Sequence, residues 1–569
     1  MARPIRPGLP VAIALGLATS LVTSAAGAET AKPADDFVDA IGTNVHFLYS
    51  NYIDHFDTVV VPRLKEIGIR NIRDGILLDD EPFNQRLRAV GAVGVKGTFI
   101  TRPKQFPALI DWAKGMAPYI DTLEGPNEPH NEPESYKGLA PMASLKPYQQ
   151  DLYAAVRAEP MLAQVKVATP GIDWFPAYSS VGDLDQWADY GNFHHWPPST
   201  GEVPYKGTAP TDGLYKGRDG KEASGLLMMA RTIASTKPLI ATETGWSTTQ
   251  ITPTAGGGWD PGVSEGAAAR YATRVMLELF SNGVRKAFIY ELLDEPTTQD
   301  PVKQHQGMLT IDGTLKPHAV ALKNLIGLLS DQGAPFVAGS LDFTLTSQGA
   351  SLVDDHDYKT SDIHHLLLQK RNGAFYLVIW NEALSYDNQA EVDVPVAAQQ
   401  VKLSLKVPVE RARTFLPLAG ADAVATFQNP SELTLQVPDH PLVVELNPPG
   451  TVQVAGGAGG AGGSAGAGGS ASAGAAGTGA ASGGAAAGGG VMAPSGGAGT
   501  MLPGGGASTT ATGGATGGAG AGPNGAQSGA EPAGCACALP LSSSSSSRGG
   551  LLALGLTAWF WVRRLRRGD

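Results

Sequence analysis

The alternation of extended and helical patterns between residues 37 and 330 restricts this chain more than any other feature. Eight β-like runs, AIGTNVHF, RNIRDGI, VGVKGTFIT, YIDTLEG, VKVATPG, ADYGNFHHW, PLIATETGW and KAFIYELLDE, are separated by longer segments of helical character. Strands that alternate with helices form a parallel sheet covered by those helices, because each crossover must pack back onto the sheet. Eight units are the number that closes such a sheet into a ring, so the expected class is α/β, a (β/α)8 TIM barrel. The clearest helix lies between the last two runs. Ser264 is its cap, Ala268, Tyr271, Ala272, Val275, Met276, Leu279 and Phe280 follow the three-four spacing of one buried face, and Asn282-Gly283 stops it.

In such a barrel, chemistry sits where the strands end. The ends present His46, Arg73 and Asp74, Thr101 and Arg102, Asn127 and Glu128, Asp173 and Trp174, His194, His195 and Trp196, Glu243 and Trp246, then Glu291 and Asp294. Any one of these alone is ordinarily structural. Their convergence on one rim is not, since desolvating so many charges without function costs stability. In Gly125-Pro126-Asn127-Glu128-Pro129 two prolines bracket a carboxylate and force the strand to stop there. That stretch alone reads equally as a surface turn carrying solvated acids. Glu243 ends a second strand, and strands four and seven face each other across the barrel mouth. Carboxyls held roughly 5 to 5.5 Å apart suit glycoside hydrolysis with retention, one attacking the anomeric carbon while the other protonates the leaving oxygen.

GPNEP at the fourth strand, ETGW at the seventh, Arg73 at the second and GMLTIDGTLKPHAVALKNL after the eighth together resemble the clan of retaining (β/α)-barrel glycosidases that includes glycoside hydrolase families 5 and 39. The resemblance covers residues 37 to 330 and implies an O-glycosyl hydrolase acting on an oligo- or polysaccharide. It implies Glu128 as acid/base, Glu243 as nucleophile, Asn127 as partner of the sugar 2-hydroxyl, Arg73 holding Glu243 ionised, and His194 or His195 lining the site beside Glu128. Glu128 then needs a raised pKa and Glu243 a lowered one. Where clan members commonly carry a tryptophan after the eighth strand as a floor for the sugar, this chain has Tyr290, and Tyr290, Trp246 or Trp259 is the expected floor. No cofactor or metal is expected, because His46, His194 and His195 are too few and wrongly distributed for a metal-dependent hydrolase. The alternative reading is a catalytically idle barrel that binds glycan at a surface. Two long loops, 197–224 and 247–262, border the expected cleft.

Around the barrel, expected over residues 29–333, lie three other regions. Residues 334–449 show the alternation of a small antiparallel β-sandwich, with Asn372-Gly373 as a hairpin turn in IHHLLLQKRNGAFYLVIWNE, followed by EVDVPV, VKLSLKV, LTLQVP and LVVELNP. Asp354, Asp355, Asp357 and Asp362 lack the ordered spacing of a calcium loop and read as a solvated turn. Residues 450–533, nearly all Gly, Ala, Ser and Thr, read as a disordered linker. Residues 1–28 read as a secretory signal peptide cut after Ala28. In residues 534–569, Cys535 and Cys537, the apolar run LLALGLTAWFWV and a terminal arginine cluster resemble the C-terminal surface-sorting signals of myxobacteria. They imply processing machinery and the cell envelope as partners, and retention at the outer surface. These are the chain's only 2 cysteines, so the folded part holds no disulfide. A net charge of −11 argues against nucleic acid or anionic lipid as a partner; neutral polymers or small molecules fit better, and the carbohydrate substrate is what the resemblance implies.

Overall fold

The structure, a computed structural model, describes residues 21–23, 27–173, 175–197, 209–216, 221–249, 262–296, 302–348, 350, 362–388 and 390–451. Each of the eight expected runs contains or borders a strand: β1 (Ile41–Asn44), β2 (Asn71–Asp74), β3 (Lys96–Ile100), β4 (Ile120–Glu124), β5 (Lys166–Ala168), β6 (Gly191–His195), β7 (Leu239–Thr244) and β8 (Val284–Ile289). They pair in parallel in the order β5-β4-β3-β2-β1-β8-β7-β6. A parallel bridge between Ala168 and Tyr190 joins the two end strands and closes the ring. Because every strand is covered outside by helices and filled inside by side chains, the strands read as apolar runs rather than as alternation.

The helix expected between β7 and β8 spans Glu265–Ser281, and the Ser264 hydroxyl accepts the Ala267 N–H at 2.9 Å as its cap. All seven expected core residues are buried, but so are Thr273, Arg274, Leu277 and Glu278 on its other flanks. The second face is covered by the sandwich.

That sandwich is built from β9 (Ser340–Gln348), β10 (Asp362–Gln369), β11 (Phe375–Glu382), β12 (Gln399–Leu405), β13 (Arg411–Phe415), β14 (Ala423–Gln428), β15 (Glu432–Val437) and β16 (Leu442–Asn447). One sheet runs β9-β12-β15, with Leu21–Thr23 and Gly27–Thr30 also pairing antiparallel with β9. The other runs β14-β13-β16-β11-β10, with Lys32–Pro33 alongside β10. The β10–β11 hairpin turns at Gly373, whose φ of +89° needs glycine. Strands β9, β13 and β14 were not among the expected runs. On β14 the side chains are mostly exposed, so no buried face marks its sequence. EVDVPV forms only a two-residue strand, Val392–Asp393, whose valine is 52% exposed.

Alternate residues of the hairpin serve two cores. Leu367, Leu377 and Ile379 pack into the sandwich, whereas Leu366, Leu368, Val378 and Trp380 pack against the barrel. Charges are buried at this second contact. Arg274 donates to the Glu382 carboxylate (2.9 Å), Ala383 O (2.8 Å) and Asp439 O (2.9 Å). Glu278 accepts from Trp380 Nε1 (2.9 Å) and the Tyr215 hydroxyl (2.6 Å), and its Oε1 lies 2.6 Å from His364 Nδ1. Residues 1–20 of the expected leader, the linker from residue 452 and the segment 534–569 lie outside the described residues, as do Asp354, Asp355 and Asp357.

Candidate active site

Five of the strand-end residues meet at the centre of the barrel mouth. Arg73 stands one residue before the end of β2, its side chain 1% exposed, and spends its whole fork on neighbours. Nε and Nη2 hold the two oxygens of Glu124 at 2.7 and 2.8 Å, Nη1 reaches Asn44 Oδ1 (3.0 Å) and Glu243 Oε1 (2.7 Å), and Nη2 also reaches Asn127 Oδ1 (2.7 Å). With Oδ1 of Asn127 facing a pure donor, the amide nitrogen is turned the other way.

Glu128 sits one turn past β4, where its N–H donates to Gly171 O at 2.9 Å and its φ is +35°, a conformation that non-glycine residues seldom take. Its Oε1 lies 2.8 Å from His194 Nδ1, and Oε2 accepts from Asn131 Nδ2 at 3.2 Å. His194 Nε2 faces Arg73 Nη2 at 3.5 Å, and an arginine can only donate, so Nδ1 carries the proton and donates to Glu128. His194 Nδ1 is also 3.5 Å from Glu243 Oε2. One oxygen of Glu128, one of Glu243 and a nitrogen of His194 all lie within 4.8 Å of one another. Glu243 Oε1 is pinned by Arg73, while its buried Oε2 has no hydrogen-bond partner.

Burial pushes the Glu243 carboxyl above its ordinary pKa, against the opposing pull of His194 and Arg73. This corrects the expectation that Arg73 would lower it. The Arg73 charge is already met by the bidentate carboxylate of Glu124, so Glu243 receives one hydrogen bond but not an undivided positive charge. Burial likewise lowers His194, which keeps its imidazole neutral. Asp173, paired with His130 at 3.2 Å, is raised to about 7 by burial and then by the Glu128 charge.

The remaining expected residues go elsewhere. His195 follows His194 on β6 and points the other way, as neighbouring strand residues must; its Nε2 meets Pro210 O at 2.7 Å, and burial lowers it to about 4. Trp246 packs against Tyr271 of the Glu265–Ser281 helix, ring centroids 5.3 Å apart, within the barrel core. Tyr290 is 3% exposed, with its hydroxyl 3.1 Å from His46 Nε2 and its ring 5.7 Å from Trp196. Trp174, Trp259 and most of both long loops lie outside the described residues. A cleft opens beside Asn127, walled by His46, Tyr49, Asp74, Arg102, Glu132 and Glu134.

Sequence reasoning missed Asn44, Glu124 and Gly171. Period-two alternation from Thr122 puts Glu124 on the inward face of β4, which was the available signal. At Gly171 a Cβ would lie 2.5 Å from His194 Nε2 and 2.9 Å from Glu124 Oε1, so only glycine fits against the pair.

No protein-family model matches the chain, and no curated protein matches its sequence. Among solved structures it is similar to a family 39 glycoside hydrolase from the gut symbiont Bacteroides cellulosilyticus WH2, at 16% identity and a TM-score of 0.44 over 73% of this chain and 81% of that one. A glucosidase from Croceicoccus marinus is similar at 11% identity and a TM-score of 0.48, over 76% and 99% of the two chains. A family 17 β-1,3-glucanosyltransferase from Rhizomucor miehei is similar at 18% identity and a TM-score of 0.34, over 49% and 96%. At these values the chemistry of this chain rests on its own side chains.

Proposed function

We propose that this chain is a retaining O-glycosyl hydrolase that cleaves an oligo- or polysaccharide by double displacement. One observation carries the reading: Glu243 has one oxygen pinned by Arg73 and the other unpartnered, with a Glu128 oxygen no more than 4.8 Å from a Glu243 oxygen. That spacing favours direct attack. Inverting enzymes need carboxyls roughly 6.5 to 9.5 Å apart to admit a water.

In the first step Glu243 Oε2 attacks the anomeric carbon, the bond to the leaving oxygen breaks, and that oxygen takes the proton of Glu128. Two buried carboxyls this close hold one proton between them at working pH, because ionising both sets like charges side by side. Bond formation at Glu243 neutralises that one carboxylate, so Glu128, having given up its proton, has no like charge beside it. The Glu128 pKa then falls, and its carboxylate takes a proton from water as the water displaces Glu243 from the sugar. His194, donating from Nδ1, steadies the Glu128 carboxylate, and Asn127 offers its amide N–H to the sugar hydroxyl next to the anomeric centre.

Glu128→Gln and Glu243→Gln are each expected to lower turnover of an aryl glycoside by orders of magnitude. NMR of the first-formed anomer decides the stereochemistry, and an inverted product would remove Glu243 as nucleophile. We also propose export and retention at the cell surface, supported by the leader-like residues 1–28 and the Cys535–Cys537 segment. Mass spectrometry of the surface form should find a terminus near those cysteines; an intact Asp569 there would refute processing.

A further inference from the structure

We propose that the cleft beside Asn127 seats a second, outer sugar of the substrate, and that Glu132 and Glu134 make it select a neutral sugar and reject a uronic acid; this rests on the glycosidase reading above. Asn127 belongs both to the reacting centre, through its 2.7 Å bond from Arg73, and to the wall of the cleft. Other walls come from the ends of β1, β2 and β3, with Tyr49, Asp74 and Arg102. The leaving oxygen must meet Glu128, whose partners His194 and Asn131 are not among those walls. The cleft therefore receives the part of the substrate that stays on Glu243 when the leaving group departs, the unit on the non-reducing side.

The surfaces of the cleft suit a sugar ring. Ile76, Ile100, Pro103 and Pro126 give apolar walls on which C–H faces can pack, and the half-buried Tyr49 ring, backed by His46 at 4.6 Å, adds an aromatic one.

Charge decides which sugar. Among the described residues that wall the cleft, Arg102 is the one cation, set against the carboxyls of Asp74, Glu132 and Glu134. A sugar carboxylate would seek the two-pronged edge of that guanidinium, and the edge is already spent: Nε donates to Glu134 Oε1, and Nη2 stands 3.3 Å from Glu132 Oε2. Among the described residues Nη1 has no protein partner, and a single nitrogen donor suits a hydroxyl. Lys104 is 60% exposed and reaches only Glu134, at 3.5 Å. Burial raises Asp74 to about 7 and lifts Glu132 as well, the latter against the pull of Arg102. The cleft is thus short of positive charge before any ligand enters, and a uronate would add a like charge beside both glutamates.

The test uses the full chain with 4-nitrophenyl α- and β-glucosides, galactosides and mannosides, and with the matching biosides whose outer unit is either the neutral hexose or the same hexose oxidised at C6 to the uronic acid. A monoside fills the reacting centre alone, so its turnover tests the glycosidase reading by itself. For the sugar that is cleaved, the neutral bioside should exceed the monoside in kcat/KM by about tenfold or more, because remote binding energy is drawn on at the reacting carbon. It should exceed the uronate bioside by about tenfold or more, as one like charge at close range costs. Glu134→Gln should shrink that neutral-over-uronate ratio by about tenfold, and Glu132→Gln serves in its place if the first variant does not fold. The proposal is overturned if monoside and biosides share one kcat/KM, if the uronate is preferred, or if the ratio is unmoved in the variants. Should no monoside be cleaved, the glycosidase reading falls; calorimetry with the same biosides must then still show the neutral preference, and its absence overturns the proposal for the cleft as well.

Discussion

Replacing Arg73 with lysine separates the charge of this residue from its shape. The guanidinium makes five hydrogen bonds of 2.7 to 3.0 Å, to Glu124 twice, Glu243, Asn44 and Asn127. An ammonium has three donors and no fork, so at least two bonds must go. Each bond to a charged group contributes about 1.5–3 kcal/mol, which puts the loss of stability at about 3–6 kcal/mol. The effect on activity differs in kind. If the bond to Glu243 is among those lost, the Glu243 carboxylate loses about 1.5–3 kcal/mol of support in its charged form, equivalent to roughly 1–2 pKa units. Burial already raises this group, so its pKa moves further up and the nucleophile is protonated over a wider range. The acid limb of kcat/KM against pH should therefore shift alkaline by about 1–2 units, measured with the best aryl glycoside from a substrate screen. Urea melts of the same protein report the stability change. A fall in kcat/KM with an unmoved acid limb would show that Arg73 does not support the Glu243 charge. A melt unchanged within about 1 kcal/mol would refute the bond-by-bond account of this buried fork.

Three further outcomes follow from the geometry. Gly171→Ala should cut kcat sharply while leaving the far-UV spectrum intact, because its Cβ would displace His194 Nε2 from a distance of 2.5 Å; full activity would show that His194 need not stand where it does. Asp173 is raised to about 7, so the folded state keeps a proton that the unfolded chain releases near pH 4; this contribution is whole below that pH and is lost as pH rises toward 7. Asp173→Asn should accordingly gain stability relative to wild type between pH 4 and pH 7 in paired urea melts, and a constant difference would reject the raised value. Arg274→Met leaves the Glu382 carboxylate buried without its 2.9 Å partner and should cost about 3–5 kcal/mol, with kcat per folded molecule unchanged. Separate unfolding of barrel and sandwich in the wild type would contradict the shared interface.

The sequence carried the ring because each barrel strand announces itself locally, as an apolar run punctuated by glycine or proline, and because Glu128 and Glu243 stand at the ends of two of those runs. It was weaker wherever burial depends on a distant segment. The Glu265–Ser281 helix shows one apolar face, and Arg274 and Glu278 on its other flanks look solvated until β10 and β11 are laid over them. Strand β13 sits between two neighbours, yet Arg411 and Arg413 disguise it, because both pair with Glu445 on the adjacent strand. The same non-locality explains the error over Glu243. A single arginine near a single glutamate lowers its pKa, and the chain in one dimension offers that pair. In three dimensions Glu124 takes both of its oxygens to the same guanidinium, so one positive charge serves two carboxylates and the desolvation of Glu243 prevails. A motif names the reacting groups, but their protonation depends on how few cations the fold shares among them; in this barrel mouth that division is made at Arg73.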